Sequence, residues 1–147
     1  MTKKISIITP TFNEEKNIEK LCLKISEEMK KLNYDYEHII IDNHSDDKTI
    51  SIIKKIAEKD KKIKVIINAR NFGHIRSPIY GMLQASGDAC IMMSSDFQDP
   101  PELIPRYISE WEKGNKIILG QRTTSDENFL MNSFKNLFYK FIQSISE

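Results

Sequence analysis

Cysteine is scarce in this sequence. Cys22 lies in a helical pattern, Cys90 lies in an apolar run, and the two lack the spacing of metal ligands. They read as reduced thiols rather than as a disulfide, which suits a cytoplasmic protein. An excess of charge is also missing. The 22 Lys+Arg against 21 Asp+Glu leave a net charge of +1, so no global field draws the chain to nucleic acid, and any anion site has to be local. Long apolar runs are absent too. Met1-Thr2-Lys3-Lys4 leads directly into a short strand-like run with no signal-type apolar region, and no stretch is long enough to span a bilayer. There is no Gly-rich loop ending in Gly-Lys-Ser/Thr, no spaced-glycine dinucleotide fingerprint after the first strand and no nucleophile elbow. The chemistries those motifs serve lose most of their weight.

What is present suffices for one core, with 39% hydrophobic and 29% charged residues in 147. Ile5 to Thr9 predicts a strand closed by Pro10, and Ile18, Leu21, Ile25 and Met29 then recur at helical spacing. His38 to Ile41 predicts a second strand, the turn-like run 42–47 follows, and Ile50, Ile53, Ile56 and Ala57 mark a second helix. A third strand is expected at Ile63 to Ile67, a third helix at Ser77 to Ala85, and a fourth strand at Ala89 to Met93. A fourth helix, Glu102 to Trp111, is entered through Pro100-Pro101, and Lys116 to Leu119 predicts a fifth strand. Strands alternating with helices imply an α/β fold. Its mostly parallel sheet carries helices on both faces, and ligands bind beyond the carboxyl ends of the strands. A first domain is expected over 1–125. A second segment, 126–147, puts Leu130, Phe134, Leu137, Phe138, Phe141, Ile142 and Ile145 on one face of an amphipathic helix.

Three polar runs fall at the expected strand ends. Ser94-Ser95-Asp96-Phe97-Gln98-Asp99-Pro100-Pro101-Glu102 sets several oxygen ligands after a buried strand and before a helix, where carboxylates can hold a divalent cation. Asp96 is the first metal candidate, although Asp96 and Asp99 read equally as caps of a turn and a helix. Pro10-Thr11-Phe12-Asn13-Glu14-Glu15 offers an aromatic ring and a carboxylate to the crevice mouth that Asp42 also faces, and such groups suit a nucleoside. Asn13-Glu14 serves just as well as a helix start. The third run, Asn68 to His74 with Arg76 after it, brings cations and a glycine toward a diphosphate. Arg70 and His74 are its candidates, with surface pairing and a helix start as the plainer readings. Arg122 is either a phosphate or sugar contact or a solvated loop cation.

Taken together, Pro10 to Glu15, Asp42 to Thr49, Arg70 to His74, Ala85-Ser86-Gly87-Asp88 and Asp96 to Glu102 resemble family 2 glycosyltransferases of the polyprenol-phosphate and dolichol-phosphate type. The resemblance covers nearly the whole chain. It implies a GT-A fold, Rossmann-like, with Pro10, Phe12, Glu14, Asp42, Arg70, His74 and Ser95 around the nucleotide sugar. Mg²⁺ or Mn²⁺ would be held by Asp96 and Gln98, and Asp96, Asp99 and Arg122 would be nearest the chemistry. The usual Asp-x-Asp-x-Gln becomes Ser94, Asp96 and Gln98 here, without its first carboxylate. The usual Asp-Asp-Gly-Ser becomes Asp42-Asn43-His44-Ser45.

The function so implied is inverting transfer of a hexose, UDP-linked, from a nucleotide diphosphate sugar to a polyprenyl phosphate. An ionised phosphate acceptor needs little help from a base. The alternatives are transfer to a saccharide hydroxyl, for which Asp99 is the base in reach, and a nucleotide-binding module without turnover. Members of this group carry more chain after the catalytic domain, so the sequence reads as the first part of a longer enzyme. That enzyme is expected to be cytoplasmic and peripheral to, or tethered at, the inner membrane face. A membrane surface, a partner or a homo-oligomer contact would cover the Phe-rich helix.

Overall fold

The computed structural model describes residues 3–121 and Phe138. Strand β1 (Lys4–Thr11), helix α1 (Ile18–Lys30), strand β2 (Asp35–Asp42), helix α2 (Thr49–Lys59) and strand β3 (Ile63–Ile67) follow in turn. Helix α3 (Gly73–Leu83), strand β4 (Ala89–Met92), a 3₁₀ turn (Pro101–Leu103) and helix α4 (Ile104–Glu112) complete the order. The sheet runs β3-β2-β1-β4 with every pairing parallel. All these elements belong to a first compact unit, residues 1–116; a second spans 117–147. Arg122 and the expected amphipathic helix lie outside the described residues, apart from Phe138. Among the described residues no helix is long and apolar enough to cross a membrane.

Side-chain alternation assigns the two faces of the sheet. Ile5 and Ile7 of β1 join Tyr36 and Ile40 of β2 in one core with Ile18, Leu21, Ile25 and Met29 of α1, Ile53 of α2 and Ile104 and Ile108 of α4. Ile8, Ile39 and Ile41 point the other way, and α3 covers that face. A Cβ on Gly81 would sit 2.9 Å from Ile8 Cγ2 and 3.3 Å from Ile41 Cγ2, so glycine lets α3 approach this closely. Burying each isoleucine contributes about 1.5–3 kcal/mol. Two groups in the first core are chemically quiet. Burial pushes the Cys22 thiol up to about 12, and it pulls His38, whose Nε2 meets Thr9 Oγ1 at 2.9 Å, down to about 4.

Several boundaries differ from the sequence pattern. β1 runs through Pro10 to Thr11 instead of stopping at the proline. Ile8 O accepts the Met93 N–H and Thr11 O accepts the Asn43 N–H, so alternate residues of β1 bond to β4 and to β2. Pro10 falls in the set facing β4, beyond the last pair, Ile8 with Met92, where its missing N–H breaks no ladder bond. α3 starts at Gly73, a turn before Ser77, with Pro78 inside it. Lys116 to Leu119 forms no strand. Ile117 and Leu119 are 82% and 85% exposed, and without a paired neighbour their apolar character specifies nothing.

The Ala85 to Asp88 run proves architectural. At the amino ends of the strands, Gly87 N–H donates to Ser6 Oγ at 2.9 Å, Lys4 N–H donates to Asp88 Oδ2 at 2.8 Å, and Ser86 bonds to buried Glu37. A Cβ on Gly87 would lie 2.7 Å from both Ser6 N and Ser6 Oγ and 2.8 Å from Lys4 O. Two of those atoms are backbone and cannot swing aside. Gly87→Ala is therefore expected to lower the unfolding free energy by about 3 kcal/mol, read from urea denaturation as a lower midpoint at unchanged slope.

Candidate functional site

At the carboxyl ends of the strands, two loops are stitched to each other. The β1–α1 loop donates from Asn13 N–H to Ser45 Oγ (2.9 Å), from Glu14 N–H to Thr49 Oγ1 (2.8 Å) and from Glu15 N–H to Asp47 Oδ2 (3.1 Å). The β2–α2 loop returns bonds from Asp46 N–H to Asn13 Oδ1 (3.0 Å) and from Lys48 N–H to Glu15 Oε2 (3.0 Å). Asn13 (φ 55°) and His44 (φ 69°) adopt the left-handed conformation these turns need. His44 thus occupies a backbone state that glycine reaches freely. Asp42 is wholly buried. It accepts Ser45 N–H on Oδ1 at 2.9 Å and Ser45 Oγ–H on Oδ2 at 2.5 Å, so its carboxylate builds the turn.

Between these loops, the β3–α3 loop and the β4–α4 loop lies a cavity of about 420 Å³. Of the residues expected around a nucleotide sugar, it brings together Pro10, Phe12, Glu14, His74 and Ser95, and with them Asp96, the expected metal ligand. Asp42, Arg70, Gln98 and Asp99 do not line it. Thr11, Asn43, Asn71, Gly73 and Ser94 do, although none of them was assigned a contact with the sugar nucleotide or the metal. Thr11 Oγ1 is buried without a protein partner. Phe12 remains 45% exposed, available as a stacking surface. Arg70 instead lies over the Phe72 ring at 4.5 Å, a cation–π pair on the same loop.

The β4–α4 loop explains the separate fates of its acids. Phe97 takes φ 61° and packs against the core, turning the chain back on itself. Asp96 is exposed at the cavity wall, with Oδ1 accepting Gln98 N–H at 3.0 Å. Asp99 Oδ2 accepts both Ser94 N–H (3.1 Å) and Ser94 Oγ–H (2.6 Å), so it closes the loop. The wall therefore offers one carboxylate from this loop, and no group of three or more acid, His or Cys ligands forms among the described residues. That donor set fits Mg²⁺ or Mn²⁺ of the kind held by one carboxylate plus substrate phosphates, not a cation caged by protein alone.

The family model for glycosyl transferase family 2 matches residues 6–145. The chain belongs to that family. Among curated relatives, this family 2 chain is 35% identical over 144 residues to a bactoprenol glucosyl transferase of Shigella phage SfV, covering 97% of the chain and 47% of the relative. It is 36% identical over 119 residues to a dolichol-phosphate mannosyltransferase of Pyrococcus furiosus, covering 81% of the chain and 33% of the relative. It thus spans less than half the length of either. Among solved structures, S. aureus TarS 1-349 in complex with UDP-GlcNAc superposes with a TM-score of 0.62 at 22% identity, over 85% of this chain and 37% of that one, a likeness of fold. Glucosyl-3-phosphoglycerate synthase from Mycobacterium tuberculosis, in complex with Mn²⁺, UDP and glucosyl-3-phosphoglycerate, gives 0.55 at 26% identity, over 74% and 39%. The GT-A α/β fold is thereby established for this family 2 chain.

Proposed function

We propose that the whole protein transfers a hexose, with inversion, from a nucleoside diphosphate sugar to a polyprenyl phosphate at the cytoplasmic face of the membrane. The observation that carries this reading is one cavity joining Phe12 of the first strand end, His74 at the start of α3 and Asp96 of the fourth strand end. An aromatic surface suits a base, and an exposed carboxylate suits a cation bridging a diphosphate. The relatives named for bactoprenol and dolichol phosphate support the acceptor class, and the synthase structure holding Mn²⁺ and UDP supports a divalent cation and a UDP-linked donor.

Asp96 would hold such a cation, which would supply Lewis-acid stabilisation of the departing charge. The chain's own residues then orient the donor: Phe12 beneath the base, His74 and the start of α3 beside the anion. A phosphate acceptor arrives already ionised, so no general base is required. The engagement of Asp99 with Ser94 agrees with that. The test is transfer of radiolabelled sugar by the full-length protein in membranes containing polyprenyl phosphate. Label is expected in the organic-extractable lipid, dependent on added Mg²⁺ or Mn²⁺. Label found only in soluble glycan would overturn the reading.

A further inference from the structure

Asn43, directly after β2, lies on the cavity wall, yet its side chain has no bonding capacity left for a ligand. Its Oδ1 accepts Phe72 N–H at 2.8 Å and Asn68 Nδ2–H at 3.2 Å, while its Nδ2 donates to Asn71 Oδ1 at 2.8 Å and to Gly73 O at 3.3 Å. A side-chain amide offers two donors and two oxygen lone pairs, and all four are used. The orientation of the amide is fixed by chemistry, because a backbone N–H can only donate and a backbone carbonyl can only accept. Asn71 Oδ1 also takes the Gly73 N–H at 2.8 Å, and Asn68 Nδ2 also donates to Ser77 Oγ at 3.0 Å. One buried amide just beyond β2 therefore ties together both ends of the β3–α3 loop and the first turn of α3.

We propose that Asn43 is a positioning residue: acting as a surrogate peptide group, it holds Gly73, at φ 83°, and with it His74, against the donor cavity. Its effect on donor binding rests on the function proposed above; its effect on the loop does not. What the loop requires from position 43 is a donor facing Asn71 Oδ1 and Gly73 O. An aspartate there would have almost the same shape, but it would turn an acceptor toward two acceptors in a site 7% exposed. At position 71 only the oxygen appears in these bonds, so an aspartate there keeps every one of them. The same chemical exchange is thus harmful at one asparagine and tolerated at its partner, an asymmetry that side-chain volume alone does not produce.

The experiment is hydrogen exchange on the chain at neutral pH, comparing the wild type with Asn43→Asp and Asn71→Asp, followed by calorimetric titration with UDP and Mn²⁺. Asn43→Asp is expected to lower the protection of the Phe72 and Gly73 amides roughly tenfold or more while the amides of β1 and α1 stay protected. It should also weaken UDP binding by roughly tenfold. Asn71→Asp should leave the Phe72 and Gly73 protection as in the wild type. Equal protection in all three proteins, or equal loss in both variants, overturns the proposal. If Asn43→Asp fails to fold, Asn71→Leu takes its place: selective loss of Gly73 protection supports the tie, and unchanged protection overturns it. A wild type that shows the expected exchange pattern yet binds no nucleoside diphosphate would overturn the donor reading and leave the positioning role standing.

Discussion

Replacing Asp96 with alanine should weaken UDP binding in the presence of Mn²⁺ and cut sugar transfer roughly a thousandfold, with little change in thermal stability. A cation that stabilises a departing diphosphate is worth several kcal/mol at the transition state, and about 4 kcal/mol corresponds to that factor. The wall holds one carboxylate from the β4–α4 loop, so no second acid there compensates. Stability changes little because Asp96 is exposed and its bond within the loop is to Gln98 N–H. Asp99→Ala provides the contrast. It releases Ser94 N–H and Oγ–H together, so its first effect should be on the order of the loop, seen as a lower melting temperature, with activity falling as a consequence. Calorimetry and melting curves on both variants separate the roles. Metal-dependent UDP binding that survives Asp96→Ala intact would sink the assignment of Asp96 as the metal ligand.

The alternation of strands and helices was legible because each apolar run carried its own period. Ile18, Leu21, Ile25 and Met29 are all buried on one side of α1, as their spacing requires. The gathering of Phe12, His74 and Asp96 around one cavity was legible for a related reason, since in a parallel sheet every βα loop opens on the same end. What was not legible depends on contacts between distant parts of the chain. Pro10 looks like a strand terminator until the parity of its partners is known. β2 begins at Asp35 rather than His38 because Tyr36 and Glu37 find burial and ion pairs that no local pattern announces. Asp42, Arg70 and Asp99 sit in the right loops, yet Ser45, Phe72 and Ser94 engage their charged groups. The bridge from Asn43 to Asn71 was invisible because an asparagine joining two loops has no sequence signature of its own.

Glu37→Ala should cost about 3–5 kcal/mol at neutral pH, the range for removing one member of a buried ion pair. Glu37 is buried at the amino end of the sheet, and its carboxylate is met by Lys64 and by Lys4, the latter at 3.3 Å. Ser6 Oγ–H at 2.6 Å and Ser86 N–H at 2.7 Å donate to it as well. Burial on its own would raise this carboxyl, but the bonds from Lys64, Ser6 and Ser86 outweigh it and hold Glu37 well below the ordinary glutamate value of 4.5. Between the two values the unfolded chain binds the extra proton. The stabilisation is therefore complete above about pH 4.5 and is lost as the pH falls through the lower, folded value. His38, held down to about 4 by burial, gives up its contribution earlier, as the pH falls from 6.5. Glu37→Gln separates the two. Its amide oxygen can still accept from Ser6 and Ser86 while its amide nitrogen turns a donor toward the lysines, so the ion pairs are lost and the serine bonds kept. That variant should be less stable than the wild type at pH 7, and the difference should shrink as the pH falls below 4.5. Urea denaturation at several pH values reads this directly, and a gap that stayed constant into acid would show that Glu37 contributes by shape and not by charge.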